Sequence, residues 1–261
     1  MSRRVPTPAY AAAGAGPRTV LFLHGIGGNR DSFIDDLPRL ANAWRALTWD
    51  MPGYGPSPPV TPLTFEALAQ AVVAVLDAAR AEKAVLVGHS LGGMIAQETA
   101  ARFPQRVSGL VLFATSAAFG GKDDTFKNEF LARRLAPLDA SKSMPEIAEE
   151  LTKGLFGPNP PEAARRRAIT SMGAIPAAAY RAALECIVTF NRTDDLARIT
   201  CPTLLLAAEH DHLAPPKTME RMARRIPGAA CRCIAGAGHL ANFEQPAAFA
   251  RILDEFLATF A

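Results

Sequence analysis

Ala84-Val85-Leu86-Val87-Gly88-His89-Ser90-Leu91-Gly92-Gly93 is the stretch on which the fold turns. Four apolar residues of strand type run into a Gly-x-Ser-x-Gly turn, and an amphipathic helical pattern follows over 91–103. A strand that turns abruptly into a helix holds the corner residue, Ser90, in strained backbone geometry, with its hydroxyl exposed at the C-terminal edge of a sheet. Small residues at 88 and 92 let the neighbouring elements come that close. The next amide, Leu91 N–H, opens the helix and has no intrahelical partner. It can therefore meet a developing oxyanion, helped by the helix dipole. The same five-residue pattern also occurs in ordinary glycine-rich turns. The flanking strand and helix point instead to Ser90 as a nucleophile.

Working outward, short apolar runs alternate with helical patterns. Strands are expected at 19–24, 45–49, 84–88, 107–113 and 203–208, with a weaker one at 230–234; helices are expected at 31–41, 65–81, 91–103, 217–225 and 246–260. This alternation is the signature of a mainly parallel sheet covered by helices, an α/β fold. The rhythm breaks over 116–196, where helical patterns at 125–136, 144–154, 161–172 and 177–190 follow one another without clear strands. Gly157-Pro158-Asn159-Pro160-Pro161 punctuates them, and the αβ rhythm resumes at Ile199-Thr200-Cys201-Pro202. The resumption favours a helical cap, 116–196, inserted into a core made of 1–115 and 197–261, over an independent helical domain.

A serine nucleophile needs a base, an orienting acid and a second oxyanion donor. Val20-Leu21-Phe22-Leu23 leads into His24-Gly25-Ile26-Gly27-Gly28, a loop whose glycines let backbone amides face a ligand, and Ile26 N–H is the expected second donor. His24 is expected to pack beneath that loop, and His89 to be a packed neighbour of the nucleophile. Among the five histidines, His239 is the candidate base, because Gly236-Ala237-Gly238-His239-Leu240 follows the last strand and precedes the last helix. The strand at 203–208 is followed by Glu209-His210-Asp211; Asp211 is the expected acid and Glu209 the fallback. The resulting order is Ser90, Asp211, His239, the order expected of a fold that carries its nucleophile at such an elbow. His210-Asp211-His212 has the look of a metal site, but without further clustered ligands it is a weak one, and no metal or organic cofactor is expected. Gly25, Phe119, Phe126, Phe130, Met144 and Leu240 are candidate pocket residues, with Leu131, Leu155, Phe156 and Met172 as further candidates. Arg133, Arg134 and Arg181 could meet a substrate carboxylate.

These residues carry a resemblance. Over nearly its full length the chain resembles the α/β-hydrolase superfamily, and its core is similar to the 3-oxoadipate enol-lactonase group and related carboxylesterases. The supporting stretches are 88–93, Leu112-Phe113-Ala114-Thr115-Ser116-Ala117-Ala118, 202–211 and Gly238-His239-Leu240-Ala241-Asn242-Phe243-Glu244-Gln245-Pro246. The resemblance implies a serine hydrolase acting on a small-molecule carboxylic ester or lactone, an enol-lactone among the candidates, through an acyl-enzyme. A carbon–carbon bond hydrolase or a perhydrolase would use the same triad, and a ligand receptor could keep the fold without turnover. Ser90 argues against the dehalogenases and epoxide hydrolases of this fold, which need an aspartate nucleophile. His89 before the nucleophile departs from the lactonases, and the first strand of the fold is absent or very short before Tyr10.

Bulk composition agrees with such a reading. Apolar residues make up 49% and charged residues 20% of 261, enough for a sizeable core. The net charge of +3 is small, and Arg165-Arg166-Arg167, its tightest run, reads as a solvated helix turn rather than a nucleic-acid patch. The N-terminus has Arg3-Arg4 but no apolar segment after it, so no signal peptide is expected, and no apolar run is long enough to span a membrane. The four cysteines show no zinc or redox spacing, which suits a reduced, cytoplasmic setting. A homodimer is left open.

Overall fold

A computed structural model describes residues 5–120 and 124–260. Arg3-Arg4 and residues 121–123 of the expected cap lie outside the described residues. Seven strands form one sheet: β1 (Tyr10–Ala13), β2 (Arg18–Leu23), β3 (Trp44–Trp49), β4 (Ala84–His89), β5 (Val107–Phe113), β6 (Thr203–Ala208) and β7 (Ala230–Ile234), in the order β1-β3-β2-β4-β5-β6-β7. All neighbours are parallel except β1, which pairs antiparallel with β3 from Tyr10 opposite Trp49 to Ala13 opposite Ala46. A first strand therefore exists, four residues long, starting on Tyr10 rather than before it.

Every residue of β4 and β6 is buried, as expected of parallel strands covered on both faces. Alternation sorts the side chains into two cores. Leu21, Leu23, Leu86, Leu110, Leu112 and Leu205 face one side, under α2 (Phe65–Ala78), α3 (Leu91–Arg102) and α8 (Pro216–Ala223). Val20, Phe22, Val85, Val87, Val111 and Phe113 face the other, against α1 (Asp36–Leu40) and α10 (Pro246–Leu257).

The expected helix at 31–41 is instead a capped 3-10 turn, Arg30–Phe33, followed by the short α1. Pro38 explains the break: its ring and missing N–H are tolerated only in a first turn, so a new helix must start just before it. Between β5 and β6 lie α4 (Asp124–Asp139), α5 (Met144–Leu151), α6 (Glu162–Gly173) and α7 (Ala177–Ile187). The two ends of this segment are tied by an antiparallel bridge between Ala118 and Asn191, with Phe119 N–H to Phe190 O at 2.9 Å and Arg192 N–H to Ala117 O at 2.7 Å. Arg192 then grips Glu98 of α3 through two bonds of 2.6 and 2.7 Å, fixing the exit of the segment to the helix that follows Ser90. A short helix, α9 (Ala241–Glu244), follows His239.

Candidate active site

β4 ends in the elbow. Ser90 has φ 52° and ψ −117°, a conformation that costs a non-glycine residue about 1–3 kcal/mol and persists only where its surroundings fix it. Those surroundings are visible. A side-chain carbon at Gly92 would lie 2.0 Å from Leu23 O, and one at Gly88 would lie 2.3 Å from Gly92 O. Thr115 Oγ1 donates to Ser90 O at 2.7 Å, and Ser90 N–H donates to Phe113 O at 2.9 Å.

Ser90 opens into a cavity of about 460 Å³, also lined by Gly25, Ile26, His89, His239 and Leu240 and by residues of α4 to α8. The loop after β2 abuts the nucleophile: a side-chain carbon at Gly25 would sit 2.9 Å from His89 Nδ1 and 3.1 Å from Ser90 Cβ. Ile26 lines the cavity, and its carbonyl accepts from Tyr54 Oη at 3.0 Å, which fixes the Ile26–Gly27 peptide, while Gly25 O, in the peptide that carries Ile26 N–H, accepts from His24 Nδ1 at 2.7 Å and from Gly28 N–H at 3.0 Å. Leu91 is fully buried in the core and is not among the residues that line the cavity; its amide is the first of α3.

His239 Nδ1 and Asp211 Oδ2 are 2.8 Å apart, with 6% and 2% of the two residues exposed. Asp211 Oδ1 accepts from the amides of Leu213 (2.8 Å) and Ala214 (3.1 Å). Burial pushes the Asp211 carboxyl up, but His239 and these amides outweigh it and hold it below the usual range. An ionised Asp211 accepts the Nδ1 proton and leaves His239 Nε2 as the basic nitrogen. The fallback acid, Glu209, points elsewhere: its side chain is half exposed and accepts from Gly236 N–H at 2.8 Å. His210 sits 3.7 Å from Glu209, His212 lines the cavity, and Asp211 is committed to His239, so the His-Asp-His run does not converge on one point.

The other two buried histidines are supports. Met51 N–H donates to His24 Nε2 at 3.0 Å, so Nδ1 carries the proton and donates to Gly25 O at 2.7 Å; burial lowers the pKa of His24 to about 4. His89 Nε2–H donates to the His239 carbonyl at 2.8 Å, and burial, with the neighbouring His239, lowers its pKa to about 3. Both rings stay neutral at pH 7, and the His89 ring lies 4.8 Å from that of His239.

Of the expected pocket residues, Gly25, Phe119, Phe126, Phe130 and Leu240 line the cavity, as do Leu155 and Met172. Met144 does not. It shares the inward face of α5 with Ile147 and Ala148 at helical spacing, and it is buried in the core. Leu131 and Phe156 also lie outside the wall. Arg133 and Arg134 line the cavity, whereas Arg181 is paired with Asp139 at 2.5 Å.

Two residues have roles the sequence reading missed. Tyr54 holds Ile26. Glu244, only 4% exposed, accepts from Gly238 N–H at 2.8 Å and from Gly157 N–H at 2.7 Å, while His239 N–H donates to Leu155 O at 2.7 Å. The loop that carries His239 is thus bonded to the segment after α5. No space remains for a side chain at Gly238, where an added carbon would lie 2.5 Å from the Phe156 carbonyl carbon. A glutamate two residues before a proline in a glycine-flanked histidine loop was the available signal.

A family model for the alpha/beta hydrolase fold matches residues 18–246. The chain belongs to the α/β-hydrolase family. This α/β-hydrolase is 31% identical over 244 residues to a pimeloyl-[acyl-carrier protein] methyl ester esterase of Klebsiella pneumoniae, covering 92% of this chain and 93% of that one. It is 29% identical over 252 residues to the enzyme of the same name from Neisseria meningitidis serogroup C, again covering 92% and 93%. Among solved structures, a thermophilic esterase from Thermogutta terrifontis with malate bound superposes with TM-score 0.88 at 29% identity, over 96% of this chain and 93% of that one. An enol-lactonase from Burkholderia xenovorans superposes with TM-score 0.85 over 96% of each chain; at 22% identity this likeness is one of fold. No helix among the described residues is long and apolar enough to cross a membrane.

Proposed function

We propose that this α/β-hydrolase cleaves carboxylic esters through a Ser90–His239–Asp211 triad and an acyl-enzyme. The observation that carries the reading is the buried 2.8 Å His239–Asp211 bond, which frees His239 Nε2 in a cavity it shares with the strained Ser90. Ser90 Oγ attacks the ester carbonyl while His239 Nε2 takes its proton, and Asp211 stabilises the imidazolium. The amides of Leu91 and Ile26 receive the oxyanion; losing one such donor typically costs about 3 kcal/mol of barrier. His239 then protonates the leaving alcohol, and water repeats the sequence to release the acid. The chain's own residues supply every group in this scheme.

The esterase names of the relatives near 30% identity support an ester over other bonds. A lactone is an ester whose alcohol stays tethered, so an enol-lactone is a further candidate substrate, driven by tautomerisation of the released enol. The segment 116–196 serves as a cap over a core of 1–115 and 197–261, and its helices supply most of the apolar wall that meets the acyl group. The test is turnover of p-nitrophenyl butyrate and of an enol-lactone by wild type and by Ser90→Ala. The wild type is expected to hydrolyse at least the simple ester, with the variant folded and inactive. Full turnover by Ser90→Ala refutes the mechanism.

A further inference from the structure

The cavity is charged with one sign. Arg133 and Arg134 from α4 and Arg221 from α8 line it, and no aspartate or glutamate does so among the described residues. None of these three arginines has a carboxylate partner within salt-bridge distance among the described residues, whereas Arg102, Arg106, Arg181 and Arg192 all do. Arg134 is half-buried, with its guanidinium carbon 5.5 Å from the centroid of the Phe130 ring. Beside it is Tyr180, fully buried, whose O–H has no acceptor among the described residues; burial raises this phenol, and the Arg134 guanidinium beside its oxygen partly offsets the rise. Much of the remaining wall is apolar, with Met94, Phe130, Met172, Leu184 and Ile187.

Unpaired cations lining a concave site raise the local potential and draw in a counter-ion. Guanidinium forks match a planar carboxylate, and a tyrosine hydroxyl without an acceptor adds a further donor. We propose that the acyl group this enzyme accepts ends in an anion, which Arg134 binds with Arg133 and Arg221 contributing to the field, an apolar spacer separating it from the scissile ester. A half-ester of a dicarboxylic acid has this chemistry. The proposal rests on the hydrolase reading above, and its test separates the two.

The probe pair is mono-p-nitrophenyl adipate and its neutral isostere, p-nitrophenyl 6-methylheptanoate, with an ω-phosphonate ester of equal length as a third arm. At low salt the wild type is expected to show kcat/KM about tenfold or more in favour of the adipate, falling as salt is raised. In Arg134→Gln the ratio is expected to approach one; Arg221→Gln is expected to lower it by less, and Arg198→Gln, on an exposed turn outside the cavity wall, to leave it unchanged. Preference for the phosphonate over the adipate would retain the anion subsite and change the anion. Hydrolysis of the neutral ester with equal or lower rates on the adipate would overturn the subsite and leave the hydrolase intact. Absence of turnover on all three would overturn both. If Arg134→Gln does not fold, the wild-type ratio and its salt dependence decide alone.

Discussion

Replacing Glu244 by glutamine removes one arm of the clamp that joins the His239 loop to the segment after α5. The carboxylate accepts two amide protons, from Gly238 and Gly157, at 2.8 and 2.7 Å. Glutamine keeps one acceptor and turns an NH2 group towards the other N–H. A hydrogen bond to a charged group contributes about 1.5–3 kcal/mol. Burial holds the Glu244 carboxyl above its usual range, so the neutral side chain recovers part of a desolvation cost, and the net loss of stability should be about 1–2 kcal/mol. The larger effect is kinetic. Gly238 is bonded directly to His239, and a misplacement of about 1 Å in a catalytic group can cost about 100-fold in rate. Burst titration with a chromogenic ester separates the two effects, because its amplitude counts competent sites and its rate constant reports each site. Glu244→Gln is expected to keep a near-stoichiometric burst while the rate constant per site falls about 10- to 100-fold with little change in KM. Leu253→Ala, in the buried face of α10, should lose about 2–5 kcal/mol and keep the wild-type rate per site. A Glu244→Gln enzyme that is less stable yet as fast per site would refute a positioning role.

Three further outcomes follow from the same geometry. His24 and His89 are held neutral in the fold, with pKa values lowered to about 4 and about 3, while the unfolded chain protonates near pH 6.5. Their stability contribution is complete above that value and is lost on acidification, by about 1.2 kcal/mol from each between pH 6 and pH 5, which urea unfolding at the two pH values would measure; His89→Asn should remove about half of that slope, and an unchanged slope would contradict the assignment. Gly92→Ala would press a methyl group against Leu23 O, whose distance of 2.0 Å no side-chain rotation can relieve, so a loss exceeding about 3 kcal/mol or insoluble protein is expected, with a soluble, wild-type-like variant the contrary result. Tyr54→Phe frees the Ile26–Gly27 peptide from its 3.0 Å bond and should lower kcat about three- to tenfold with KM unchanged, and an unaltered kcat would remove Tyr54 from the support of the oxyanion loop.

The parts of this enzyme that were legible in its sequence are those governed by local rules. The elbow at Ser90 needs a strand, two glycines and a helix in immediate succession, and β4 and α3 fall where that pattern puts them. Asp211 and His239 could be placed because each lies in the loop after a strand, the apolar β6 ending at Ala208 and the weaker, mixed β7 ending at Ile234. What escaped depends on contacts between distant segments. Glu244 meets Gly157 across 87 residues and Tyr54 meets Ile26 across 28, and neither spacing leaves a periodic trace. Met144 was misread because an apolar residue on an amphipathic helix looks the same whether its face meets a core or a cavity. The division of the arginines into paired and unpaired was equally invisible: Arg181 and Arg134 sit on α7 and α4, and the structure sets Arg181 against Asp139 but Arg134 against Phe130 and Tyr180.

Acylation of Ser90 with His239 as its base is read out by intact-protein mass spectrometry after a brief exposure to a fluorophosphonate. One adduct per chain, localised by peptide mapping to Ser90, absent in Ser90→Ala and formed at least about 1,000-fold more slowly in His239→Ala, is the predicted result. A stoichiometric adduct on any other residue, or labelling of Ser90 at an undiminished rate without His239, would rule out this nucleophile and base.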